Sequence, residues 1–451
     1  MLTADTLRAL LDDDILPSRM PDVELLARYL KSERPHQDPI CLSFGETWSQ
    51  VAPGLAERLA SDPIHSHGYQ LSQYGLPALR LRVRDQIRDG HRLPETSQPG
   101  RDYEVAVAWN GTRSAMFDFG RLIRDQDAPA DQTPVAVVAG PSWDYEGVFS
   151  CQGYRVRYHR LRPERGFQPC VDELEALCAD VASRPDERLA LLVVNAQHNP
   201  TAVNWDPKFV AASIAAAAER GAAVLIDDAY YAVHDDDVLP TSALSILLDL
   251  LPDLPAATRR RWLAVRSFGK QFHSNGWGIG ALTAGPQTLD LLVNRYRLHN
   301  SLMYGGSYQH AMNSWLADDA SQEFLARQRT TFRQRRKMIG EFLTDRLGYP
   351  DDQIHLGECS SYLMFAVPRE YILSTNPAER FRRDCFAATG VLLAPVWPWP
   401  FSADEDAALP YVRMFIGPAT ETIHTALTRM EAAGIRHDMT PPHLAALGPG
   451  A

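Results

Sequence analysis

Four lysines serve the whole 451-residue chain, Lys31, Lys208, Lys270 and Lys337, against 41 arginines. Chemistry that needs an amine nucleophile therefore has four candidates. Lys31, Lys208 and Lys337 lie in polar helical settings, whereas Lys270 lies in RSFGKQF, just past the apolar run LAVRSF and behind Gly269. The carboxyl edge of a parallel sheet is where such sheets place their ligands. Desolvation there lowers an amine's pKa and makes it a nucleophile able to form a Schiff base. The plainer alternative is a surface lysine beside a turn.

Asp227 ends the apolar run AAVLID and is followed by Asp228, Ala229 and Tyr230. A carboxylate at the buried end of a strand is costly unless a cation meets it. A pyridinium nitrogen is one such cation; capping the next helix is the other use of the acid. Asn199, in VVNAQHNPTAVNW, precedes Pro200 and reads first as a turn. Gly111 and Thr112, in AWNGTRSAMF, close a strand-like run and open a helical one, which makes either a plain turn or a phosphate cradle. Trp143, in GPSWDY, joins the core or stacks on a planar ring. Arg413 stands inside the apolar strand PYVRMFIG, where a guanidinium needs an anion and fits a carboxylate bidentately.

Two other signals carry less. GWGIG at 276–280 fails the dinucleotide fingerprint because Thr283 stands where the third glycine belongs. His234 to Asp237 read as a solvated acidic loop, so no metal is expected.

These residues sit at the ends of alternating elements. Seven short β-branched or apolar runs begin at 104, 134, 154, 189, 222, 263 and 279, with helix-like segments such as 113–126 and 207–221 between several of them. Continuous apolar strands separated by helices predict an α/β protein, its large domain a mostly parallel seven-stranded sheet between helices. The texture beyond 350 predicts a smaller α+β domain, with SSYLMFAVP, VLLAPV and YVRMFIG as strands. The expected organisation is an arm and part of the small domain at 1–75 and a large domain at 76–300. Linking helices at 301–340, the C-terminal small domain at 341–436 and a tail at 437–451 follow.

In chain order the candidates are a glycine turn, an aromatic, Asn-Pro, Asp-x-x-Tyr, Ser-x-x-Lys and a late strand arginine. That order resembles the pyridoxal-phosphate enzymes of the aspartate aminotransferase superfamily, the class I/II aminotransferase-like group of fold type I, over about residues 40–435. The resemblance implies that Lys270 carries pyridoxal 5'-phosphate and shuttles the substrate's Cα proton. It implies that Asp227 meets the ring nitrogen, Asn199 and Tyr230 the ring oxygen, and Trp143 the ring face. Gly111, Thr112 and Ser267 would hold the phosphate, joined by Tyr69 from a neighbouring subunit, and Arg413 the substrate carboxylate. Gly45, in SFGETW, resembles the glycine of the substrate-entry segment.

The chain also departs from that pattern. Gly278 stands where the family places a phosphate-binding arginine, in Gly276-Trp277-Gly278-Ile279-Gly280. Arg113, Arg266 and His273 are the candidate substitutes. The spacing from Tyr69 to Gly75 is one residue longer than usual, Ala202 follows Asn-Pro-Thr, and GVLLAPVWPWP replaces a Pro-Gly and a phenylalanine. These changes imply a remodelled pocket.

Composition narrows the rest. The net charge is −11, which disfavours nucleic acid and membrane surfaces as partners. Six scattered cysteines and an acidic N-terminus predict a reduced, cytoplasmic chain. The expected function is a PLP-dependent aminotransferase of specialised metabolism, acting on an amino acid as a homodimer with sites at the interface. Its alternative is a non-transaminating relative performing β/γ-elimination, replacement or C–C bond formation, for example on S-adenosylmethionine, or tailoring an arginine side chain. A catalytically dead binding protein is the third reading.

Overall fold

Seven strands pair into one sheet in the larger of two compact units, which comprises Val51–Thr330 and Glu358–Ser360. The computed structural model describes residues 3–11, 20–32, 38–45, 50–61, 63–127, 131–301, 305–374, 376–396 and 409–439. The strands are β1 (Glu104–Ala108), β2 (Thr133–Gly140), β3 (Arg155–Arg160), β4 (Glu187–Val194), β5 (Ala223–Asp227), β6 (Trp262–Ser267) and β7 (Gly280–Ala284). Across the sheet they run β1-β7-β6-β5-β4-β2-β3. All neighbours are parallel except β7, which runs antiparallel to both β1 and β6.

The inner strands are covered on both faces and are apolar for that reason, whereas the edge strand β3 reads RVRYHR and is only partly buried. In β4 every residue from Leu189 to Val194 is buried. Helix α1 (Pro77–Gly90) buries Leu79, Val83 and Ile87 at helical spacing. Helix α2 (Gly111–Gln126) turns Met116, Phe119, Leu122 and Ile123 into one cluster with Leu263, Val265 and Leu282 of the sheet. Truncating Phe119 to alanine there would cost about 3–5 kcal/mol.

Register positions the site. Ala108 of β1 pairs with Gly280 of β7, and Gly280 pairs with Ser267 of β6. The carboxyl ends of β1 and β6 are thereby held one strand apart. A Cβ on Gly280 would stand 2.3 Å from the carbonyl oxygen of Arg266, so only glycine fits between them. Asp227 pairs with Val265, which brings the end of β5 to the same edge.

The smaller unit holds Met1–Gln50, Thr331–Gly357 and Ser361–Ala451. Its four-stranded antiparallel sheet runs Ala394–Pro395, Tyr411–Phe415, Tyr362–Ala366, Ile354–His355. The run VLLAPV, expected as one strand, divides in two. Val391–Leu392 pairs in parallel with Ile40–Cys41, while Ala394–Pro395 pairs with Tyr411–Phe415. The stretch changes partner at Leu393, which an apolar run cannot announce. Leu26, Leu30, Phe386 and Leu392 cluster beneath the helices Pro21–Lys31 and Pro377–Thr389. Trp397 to Pro400, Pro17 and the tail from 440 lie outside the described residues.

Candidate active site

Asp227 closes β5 as a nearly buried carboxylate, 5% exposed. Its Oδ2 accepts a 2.7 Å hydrogen bond from the Tyr145 hydroxyl, and its Oδ1 accepts from the backbone N–H of Ala229 at 3.2 Å. Both donors are neutral, and among the described residues no cation lies within ion-pairing distance of this acid. Burial pushes the carboxyl up to about 6, against the pull of Tyr145, of Ala229 and of the Lys270 charge.

Lys270 lies in the short helix α3 (Phe268–Phe272) that leaves β6. Its Nζ stands 6.0 Å from the centre of the Tyr230 ring, and the lysine is half-buried. Gly269 packs its α-carbon against Asn275: a Cβ there would come within 2.9 Å of the Asn275 Cα. Tyr230 and Asn199 are both buried. Asn195 ties the two loops together, its Nδ2 donating 2.6 Å to the Asp227 carbonyl while its Oδ1 accepts from the Asn199 N–H at 3.0 Å.

Gly111 and Thr112 begin α2, where the N–H groups of the first turn have no partner inside the helix. Asn110 and Gly111 both take positive φ, 64° and 73°, and a Cβ on Gly111 would meet nothing within 4 Å. The turn thus presents bare backbone to open space beside Ser267. Gly278 adopts φ +64° and its carbonyl accepts a 2.8 Å bond from the Gly111 N–H. A Cβ at 278 would stand 3.0 Å from the Gly111 nitrogen and 3.1 Å from that of Asn110. Two backbone segments cross here, so a side chain would press on backbone and take a strained left-handed φ.

The three candidate substitutes for the missing arginine separate. Arg113 follows Thr112 on the first turn of α2; its guanidinium lies 4.3 Å from the centre of the Trp143 ring and pairs with Asp144. Arg266 precedes Ser267 on β6 and leaves the opposite face of the sheet, with Tyr231 for a neighbour at 5.5 Å. The Nε2 of His273 meets the Gln328 side chain at 2.7 Å. Of the three, Arg113 adjoins the glycine turn.

In the smaller unit the Arg413 guanidinium lies 4.1 Å above the Tyr362 ring, and its Nη2 donates 2.6 Å to the carbonyl of Ser43, two residues before Gly45. Tyr69, in the larger unit, is 68% exposed. Tyr145, Asn195 and Asp144 escaped the sequence reading. Tyr145 lies two residues beyond Trp143, yet nothing in its spacing signals a bond to a residue 82 positions later.

The arrangement fits a pyridoxal-type cofactor. A buried carboxylate without a cation, a lysine amine beside it and a bare helix N-terminus are the donor set for a ring nitrogen, an aldehyde and a phosphate. Among the described residues no group of three or more His, Cys, Asp or Glu is placed to hold a metal, and no helix is long and apolar enough to cross a membrane.

The fold is that of solved aminotransferase structures. The aspartate aminotransferase of Thermus thermophilus with maleate superposes with a TM-score of 0.71 over 94% of this chain and 98% of its own, at 21% identity. Substrate-bound BacF from Bacillus subtilis does so with a TM-score of 0.72 over 95% and 98%, at 19% identity. Residues 107–398 match the aminotransferase class I and II family, and the chain belongs to it. Members of that family use pyridoxal 5'-phosphate. The aspartate aminotransferase of Pyrococcus abyssi is 23% identical over 392 residues, 84% of this chain and 90% of that protein. Capreomycidine synthase of Streptomyces vinaceus is 25% identical over 351 residues, 75% and 81%. The methionine aminotransferase of Escherichia coli is 27% identical over 231 residues, and the chain spans about half of that protein's length, 53%.

Proposed function

We propose that the protein is an aminotransferase of specialised metabolism that moves the α-amino group of an amino acid to a 2-oxo acid. The observation that carries this reading is the pair of Asp227, at the end of β5, and Lys270, in the helix that leaves the neighbouring strand β6: a cation-seeking carboxylate and an amine at one edge of the sheet. Bound pyridoxal phosphate supplies a ring that withdraws electrons from the substrate's Cα. Asp227 would meet the ring nitrogen, with Tyr145 keeping that carboxylate oriented. Asn199 and Tyr230 would hold the ring oxygen, and Trp143 would stack on the ring. Thr112, Ser267 and the Gly111 turn hold the phosphate, with Arg113 as the guanidinium that Gly278 does not supply. Lys270 takes the proton from Cα and returns it. Arg413 binds the substrate carboxylate, with Gly45 on the entry segment.

A homodimer completes the proposal. Tyr69, Leu71 at 87% and Ile64 at 95% stand exposed along one stretch of chain, apolar surface that a second copy would cover.

The crossing at Gly278 and the likeness to a relative named a synthase favour one second reading, elimination, replacement or C–C bond formation at the same site. Labelled nitrogen separates the two. A 15N-amino acid panel with 2-oxo acid acceptors should put the label into the acceptor's amino acid; release of ammonia or a leaving group with none transferred would favour the second. The visible absorption of the cofactor-loaded protein beside Lys270→Ala tests the site itself: a band present in both, unshifted, would remove Lys270 from it.

A further inference from the structure

Arg266 is left over by the proposed active site. It is 6% exposed, and its Nε and Nη1 find no hydrogen-bond partner among the described residues. Burial lowers its pKa only to about 10, so the guanidinium stays charged at neutral pH. The nearest buried acid is Asp228, and neither of its oxygens has a donor. Burial, reinforced by Asp227, pushes that carboxyl up to about 8, which weakens it as a counter-charge at neutral pH. A buried guanidinium without an anion is among the costlier arrangements in a protein.

A cavity of about 570 Å³ opens onto this group within the larger unit. Arg82, Arg92 and Arg329 stand on its wall as well. Each is tethered by one bond to a neutral acceptor: Arg82 to Asn313 at 3.3 Å, Arg92 to the Pro240 carbonyl at 3.2 Å, Arg329 to the Ala232 carbonyl at 3.3 Å. Among the described residues none of the four arginines is within ion-pairing distance of a carboxylate. The two acids on the wall, Asp85 and Asp89, both pair with Arg88. Gln271 also lines the cavity; it is 1% exposed and its Nε2 donor is unpartnered. The wall therefore holds unmet donors and positive charge, with Tyr231, Leu316 and Leu325 as apolar sides.

The cavity also adjoins the proposed site through the backbone. Tyr231, Arg266 and Gln271 line it, and each is the chain neighbour of a residue assigned to the cofactor: Tyr230, Ser267 and Lys270. We infer that this cavity binds a small organic polyanion, bearing two or more phosphate or carboxylate groups, at a site separate from that of the amino-acid substrate. Planar guanidiniums suit both oxyanions bidentately.

Calorimetric titration of the cofactor-loaded protein at low ionic strength tests this, with inorganic pyrophosphate in one arm and citrate in the other. Saturable binding near one per chain is expected in at least one arm, and the arm that binds names the anion class. Arg92→Gln and Arg329→Gln change the wall and leave the buried Arg266 in place. Each should weaken binding at least tenfold while the cofactor's visible spectrum stays as in the wild type. Failure of both anions to bind, or binding indifferent to both substitutions, would overturn the inference. Because neither arm reads amino transfer, the result stands or falls apart from the assigned reaction.

Discussion

The hydroxyl of Tyr145 donates a 2.7 Å hydrogen bond to Oδ2 of Asp227, linking the short helix Tyr145–Phe149 after β2 to the end of β5. That bond opposes the effect of burial on the acid, so its loss lets the carboxyl rise further. A hydrogen bond to a charged group is worth about 1.5–3 kcal/mol. Tyr145→Phe should therefore weaken pyridoxal phosphate binding about tenfold or more and move the acid limb of activity to higher pH. Spectrophotometric titration and a pH–rate profile check both; unchanged affinity would leave Tyr145 a packing residue.

Arg113 should matter for the phosphate and not for the ring. Arg113→Gln removes the guanidinium stacked on Trp143 and is expected to cost pyridoxal phosphate about tenfold in affinity. Affinity for pyridoxal, which lacks the phosphate, should stay within twofold. Equal losses for the two ligands would mean that Arg113 acts through Trp143 alone.

Restoring the family's arginine should fail. Gly278→Arg forces a side chain into φ +64° with its Cβ 3.0 Å from the Gly111 nitrogen. Such strain costs on the order of 1–3 kcal/mol. Thermal melts should show the variant destabilised, with no tighter cofactor binding. Tighter binding at unchanged stability would mean that the two segments separate easily.

The cofactor-free protein should lose stability between about pH 6.5 and 8. The Asp228 carboxyl is raised to about 8 in the fold, chiefly by burial and by Asp227. A raised carboxyl stabilises fully below the ordinary carboxylate range, and that contribution is lost as pH rises through the folded value. Buried histidines such as His91, lowered by burial, act with the opposite sign and mainly below pH 6.5. Asp228→Asn should flatten the decline above pH 6.5 in calorimetric melts. A slope equal to the wild type's would place the titration elsewhere.

Most of the sheet is legible because most of its strands are buried on both faces and announce themselves as apolar runs; the edge strand β3, RVRYHR, does not. The order of glycine turn, Trp143, Asn199, Asp227 and Lys270 follows from the same reading, since each residue sits just past a run. Tyr145 and Asn195 are not legible, because their roles depend on which strand ends become neighbours, and strand order is not written in any single run. The division of VLLAPV fails for the same reason. Arg266 shows a further limit: next to Ser267 in sequence, it faces the other side of the sheet, where only the packing of α1 and the helix Ala320–Asp345 decides what surrounds it.

Strands β6 and β7 are consecutive and antiparallel, and Ser267 pairs with Gly280. The connection that carries Lys270 is thus a closed loop, pinned at both ends to one rung of the ladder. A lysine on an open loop would have to be gathered into place from many conformers; here the loop's own closure removes most of them. It also makes the segment 262–284 one continuous hairpin. Adding or deleting a residue inside it would shift the amine against the rung that aims it.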